Sequence, residues 1–244
     1  MIDKRTLLAL SLAAVALPAW AQTPPPTPSG SAAPTAASPP APSNPRVLIH
    51  TTLGDIALEL YVDKAPITGR NFLKYVDRKL YDGATFYRAS KPPGQTSNDY
   101  GSVQGGLQSD PRKLPPIAHE STLKTGVLHK DGVISMGRFA PGTAQADWFI
   151  CIGDMPYLDA DSKNPGFAAF GHVESGMEVA KAILGQPTDP NAGVGAMKGE
   201  MLVKPVKILT IRRLPAAAPA AVTSVAPPAT PSEGPPATTA PPAR

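Results

Sequence analysis

Between Asp55 and Val62 the apolar residues Ile56, Leu58 and Leu60 fall at every second position around Ala57 and Glu59, which gives an extended chain one apolar face. The run before it, Arg46 to Leu53, is also rich in branched residues, and Thr52-Leu53-Gly54-Asp55 between the two has the composition of a turn. An antiparallel hairpin is predicted. The period then changes. Pro66 stands where a first helical turn tolerates a residue without an N–H, and Ile67, Phe72, Leu73, Val76 and Leu80 form an apolar stripe among Arg70, Lys74, Asp77 and Arg78. That spacing predicts a helix. Short apolar runs follow at Thr85-Phe86-Tyr87, Val133-Ile134-Ser135-Met136, Trp148 to Ile152 and Ala168 to Val173, separated by loops rich in Gly, Pro and Asp. A second helix is predicted from Met177 to Leu184 with Met177, Ala180 and Ile183 inward, and a closing strand from Val203 to Leu214. Many short strands with two helices predict a mainly β protein, a barrel or sandwich, and exclude a doubly wound α/β sheet.

Composition divides the chain. Of 31 prolines in 244 residues, nine lie between Gln22 and Pro45 and nine between Pro215 and Arg244, in stretches otherwise mostly Ala, Ser and Thr. Such segments have too few apolar side chains to offset the entropy of ordering them. The expected organisation is a signal peptide at 1–21, a disordered linker at 22–45, one folded domain at 46–214 and a disordered tail at 215–244. The signal is read from Lys4 and Arg5, an apolar run from Leu7 to Leu17 too short to span a bilayer, and Ala19-Trp20-Ala21, small at the two positions a signal peptidase senses. An exported, periplasmic protein without stable membrane insertion is expected. The net charge of +4 is spread without a basic block, so nucleic acid is not an expected partner. Cys151, the single cysteine, reads as a buried strand residue.

Candidate chemistry is sparse by elimination. His50, His119, His129 and His172 lack the paired spacing of a zinc site, and Gly193 to Gly199 has Lys198 where a dinucleotide loop needs its third glycine. No metal or cofactor is expected. The informative segments are Phe86-Tyr87-Arg88, Val103-Gln104-Gly105-Gly106, Gly132 to Met136, Asp147 to Cys151, Tyr157-Leu158-Asp159 and Phe167 to Val173. In this order they resemble the cyclophilin-type peptidyl-prolyl cis/trans isomerases, and the resemblance runs from Val47 to Arg213.

That resemblance implies an eight-stranded antiparallel β-barrel capped by two α-helices, acting as a monomer on proline-containing polypeptides bound along an outer face. By position it implies Arg88 as the catalytic arginine. It places Phe86, Gln104, Met136, Gly137, Asp147, Phe149, Tyr157, Leu158 and Phe167 in substrate-binding segments. The chain departs from the family pattern at Arg138, Asp147, Tyr157 and Phe167. The loop from Ala89 to Val103 is enlarged, and leaves Tyr100 or Val103 as the residue completing the proline pocket. A non-catalytic proline-binding module on the same fold is the alternative implied.

Overall fold

The computed structural model describes residues 44–215. The signal, most of the linker and nearly all of the tail expected above lie outside these residues. The strands are β1 (Arg46–Thr51), β2 (Gly54–Leu60), β3 (Thr85–Ser90), β4 (Gly101–Gly106), β5 (Val133–Met136), β6 (Trp148–Ile152), β7 (Ala168–Ser175), β8 (Thr188–Asp189) and β9 (Met201–Arg213). The helices are α1 (Pro66–Asp77), the single turn α2 (Thr122–Thr125) and α3 (Met177–Leu184). Neighbouring strands run β1-β2-β7-β5-β6-β4-β3-β9, and β1 pairs back onto β9, so eight antiparallel strands close a ring while the two-residue β8 attaches to β9.

Closure leaves no long unpaired edge in the ring and sends alternate side chains inside. The interior is full. Trp148 meets Phe72, Tyr81 and Phe86 edge-on with ring centroids 5.9, 6.3 and 5.1 Å away, and Ile49, Leu58, Ile134 and Ile211 complete the packing without solvent exposure. Gly105 belongs to this arrangement, because a Cβ there would come within 3.2 Å of both the Trp148 and Phe86 rings. A packed interior leaves only the outside for a polypeptide ligand.

The two longer helices close opposite ends. Val179 and Leu184 of α3 pack on Gly54 and Gly101, at the starts of β2 and β4, whereas α1 follows the far end of β2 and lies against β7 and β9. Ala65 precedes α1 and has no side-chain cap to offer; the buried Glu120 does the work from 52 residues away, accepting from the backbone N–H of Ile67 at 3.1 Å and Thr68 at 2.7 Å. In the predicted stripe Ile67 proves exposed, and Tyr75, fully buried and donating nothing to solvent, takes part in the core instead; its hydroxyl accepts from the Leu114 N–H at 2.7 Å. Strand β4 is the one ring strand that the apolar pattern misses. Among the described residues no helix is long and apolar enough to cross a membrane.

Candidate active site

Three neighbouring strands build one outward row, by alternation in β4 and β6 and by a bulge in β3 that gives Phe86 and Arg88, two residues apart, opposite faces. In β3 Phe86 points in and Arg88 out, in β4 Val103 points in and Gln104 out, and in β6 Trp148 points in and Phe149 out. A register shift between Phe86 and Arg88 sets Arg88 opposite Gln104, and Gln104 lies opposite Phe149 on its other side. Adjacent strands are about 4.8 Å apart, so the row places a cation, an amide and an aromatic ring within about 10 Å along the barrel wall.

Arg88 is half-buried and held on three sides. Its Nε donates to Glu200 Oε2 at 2.7 Å, Nη2 lies 2.6 Å from the same oxygen, Nη1 donates to Gln104 Oε1 at 2.8 Å, and Nη2 donates to the Ala196 carbonyl at 3.3 Å. Of its two Nη1 hydrogens only one has an acceptor among the described residues. Gln104 spends its oxygen on Arg88, and its amide nitrogen lies between the Tyr87 hydroxyl and Gly137, where a Cβ would approach Gln104 Nε2 to 3.2 Å. Any larger residue at 137 would press on that amide.

Phe149 forms the floor next door. It is 7% exposed and clusters with Cys151 and Met155, and the partly buried Tyr100, Leu158 and Phe167 pack against this cluster. Phe167 meets it edge-on at 5.5 Å, and the buried His129 lies nearly parallel to it at 6.1 Å. The wall carrying Leu158 and Phe167 is pinned by the Phe167 N–H to the Leu158 carbonyl at 2.9 Å, by His119 Nε2 donating to the Pro165 carbonyl at 2.8 Å, and by Arg138 donating to the Gly166 carbonyl. Arg138 also stacks over the Phe167 ring at 4.8 Å. An aromatic floor with apolar sides is suited to a proline ring, which is apolar and has no N–H to satisfy.

His129 is fixed by a network. Asp159 accepts from both its backbone N–H and its Nδ1, at 2.9 and 2.7 Å, which assigns the Nδ1–H tautomer, and Ser135 Oγ donates to Nε2 at 2.9 Å. Burial outweighs the Asp159 carboxylate and lowers the His129 pKa from its ordinary value. The ring is therefore neutral near pH 7 and serves packing rather than proton transfer. Cys151 behind the floor is fully buried, and desolvation pushes its thiol up to about 12.

Two residues expected at the site lie elsewhere. Phe86 and Met136 are both fully buried on the barrel interior, Phe86 against Trp148, because their strand positions have inward parity. Neither can touch a ligand on the outer face. Asp147 sits at the groove's far edge, accepting from the Tyr87 hydroxyl at 3.1 Å and the Gln108 N–H at 2.8 Å and pairing with Lys113 at 2.6 Å. Tyr157 is 61% exposed on the rim beside Tyr100. Of the two candidates for completing the pocket, Val103 is fully buried in the core, whereas Tyr100 packs against the outer cluster of Phe149, Cys151 and Met155. Glu200 and His129 are the neighbours that sequence motifs did not bring to the site. Glu200 is 112 residues from Arg88, and only the β3–β9 pairing joins them.

The geometry has counterparts among known proteins. Residues 46–213 match the family described as cyclophilin type peptidyl-prolyl cis-trans isomerase/CLD. The chain belongs to that family. It is 31% identical over 174 residues to a peptidyl-prolyl cis-trans isomerase of Acinetobacter baylyi, covering 70% of this chain and 86% of that one. It is 36% identical over 141 residues to peptidyl-prolyl cis-trans isomerase A of Dickeya dadantii, covering 56% and 70%. A crystal structure of a Cryptosporidium parvum cyclophilin type isomerase shares the fold at a TM-score of 0.56 and 20% identity, covering 70% of this chain and 98% of that one. As a cyclophilin the chain is a peptidyl-prolyl cis-trans isomerase, an enzyme that turns X-Pro bonds. The mainly β barrel with its two longer capping helices is the architecture that the family resemblance implied.

Proposed function

We propose that the outer row Arg88-Gln104-Phe149 is where this cyclophilin turns X-Pro bonds, in exported polypeptides, and that Arg88 stabilises the twisted amide. The observation that supports this most is the strand register, which sets the guanidinium, the amide and the ring side by side on one solvent-facing wall. Rotation about an X-Pro bond sacrifices amide resonance, at a barrier of ~18–20 kcal/mol. As the proline nitrogen loses conjugation its lone pair becomes a better acceptor. An N–H of Arg88 aimed at that nitrogen bonds more strongly to the twisted state than to either planar one, which is differential transition-state binding.

A charged hydrogen bond supplies ~1.5–3 kcal/mol, whereas five orders of acceleration need about 7 kcal/mol. The remainder falls to positioning. Phe149 with Tyr100, Leu158 and Phe167 would hold the proline ring still, and the Gln104 amide would hold a flanking carbonyl, so that the acyl side rotates against a fixed half. No nucleophile enters this scheme, and the inert Cys151 and neutral His129 are consistent with it.

The reading is tested by titrating a short Ala-Pro peptide into ¹⁵N-labelled protein. The Gln104 side-chain amide and the backbone amides of Gly137 and Phe149 are expected to shift together. Shifts confined to a different face, such as the outer side of α1, would remove the assignment.

A further inference from the structure

Glu200 is fastened more thoroughly than a surface carboxylate usually is. It stands one residue before β9, its carbonyl accepts from the Ala89 N–H at 3.0 Å, and its own N–H donates to the Met197 carbonyl at 3.1 Å. Both carboxylate oxygens are engaged: Oε1 accepts from Ser90 Oγ at 2.7 Å, and Oε2 faces Arg88 Nε at 2.7 Å and Nη2 at 2.6 Å. The pair is only partly screened, with side-chain exposures of 21% and 24%. A free arginine on a barrel wall would sample many rotamers and lose that freedom each time it engaged a ligand.

We propose that Glu200 is the positioning residue for Arg88, a rigid clamp on the Nε/Nη2 edge of the guanidinium that turns the Nη1 edge toward the groove. The inference rests on the catalytic reading of Arg88. The clamp engages the edge away from Gln104, so the unshared Nη1 hydrogen stays available on the groove side. The Ala196 carbonyl supports the same edge, which assigns a task to the surface loop around Gly195–Met197. A carboxylate beside the cation also weakens the field it exerts, so two effects compete. Geometry wins here because the hydrogen bond that matters is short-ranged and directional, and fixing the planar fork in advance removes its ordering cost from the reaction.

The test uses the full chain with Glu200→Ala, Glu200→Gln, Arg88→Ala and the double variant Arg88→Ala/Glu200→Ala, assayed on one X-Pro peptide alongside thermal unfolding. Glu200→Ala is expected to lower kcat about tenfold, equivalent to one lost hydrogen bond, with KM within about twofold of the parent. Glu200→Gln, which keeps an acceptor oxygen, is expected to recover part of the loss. The Arg88 Nε–H resonance, protected in the parent, should exchange rapidly in Glu200→Ala. The double variant should be no slower than Arg88→Ala alone, since the clamp has nothing left to hold. Glu200→Ala turning over at or above the parental rate, or the two losses multiplying in the double variant, would overturn the inference while leaving Arg88 catalytic. Parental turnover by Arg88→Ala would instead refute the reading beneath it.

Discussion

His129 shows how one residue under the groove floor makes the protein sensitive to acid. Its folded pKa lies below the ordinary 6.5 because burial opposes the charged form, so on lowering the pH the unfolded chain takes up the proton first. The stability it contributes is complete above about pH 6.5 and is lost as the pH falls from there through the folded value. Unfolding midpoints measured from pH 7.5 down to 5 should fall more steeply for the parent than for His129→Asn. Equal slopes would mean that His129 does not titrate between the two states. Cys151 gives a simpler expectation at the same scale. Fully buried, with its thiol held near 12 by desolvation, it should stay unlabelled by a thiol reagent in the native protein and react on denaturation. Arg88, Gln104 and Phe149 were legible in the sequence because short motifs carry them. Phe86 and Met136, carried by the same motifs, were misplaced because a motif does not reveal which face of a strand a side chain occupies.

At the scale of elements, the helix stripe and the strand runs were readable because burial imposes a period on the chain. Strand β4 was not. Three of its six residues are glycines, kept small where Trp148, Ser90 and Asp147 crowd the backbone, and steric necessity leaves no apolar rhythm to detect. The cap of α1 was equally invisible, because Glu120 reaches it through tertiary structure. Removing that carboxylate strands two backbone donors at a helix end, so Glu120→Ala is expected to destabilise the fold by ~2 kcal/mol, lowering the melting temperature by about 4–8 °C for a domain of this size. An unchanged melting temperature would show that water replaces the cap. Gly176, the N-cap that joins β7 to α3 at φ 92° with the Asp55 carbonyl against its missing Cβ, is a position that only glycine fits.

For the whole molecule, the ring of eight strands gathers residues from both halves of the sequence into one wall. This is why Glu200 and Arg88 meet although no local pattern links them. Among the described residues the buried core lies between Val47 and Ile211, so residues 46–214 alone should unfold cooperatively and retain the full isomerase rate; a broad transition or lost activity would show that a flank completes the domain. If the chain is exported as proposed, the mass of the mature protein should correspond to a start at Gln22, and a mass that begins at Met1 would withdraw that part of the reading. The most direct measurement is the rate of cis/trans exchange of a short X-Pro peptide with the parent, Arg88→Ala and Arg88→Lys at matched concentration. Arg88→Ala is expected to be roughly ten- to several-hundred-fold slower than the parent with its melting temperature nearly unchanged, corresponding to ~1.5–3 kcal/mol of a charged hydrogen bond. Arg88→Lys should remain impaired, because an ammonium cannot hold Glu200 and Gln104 and still present a directed N–H. Exchange by Arg88→Ala at the parental rate would contradict the assignment of catalysis to this guanidinium.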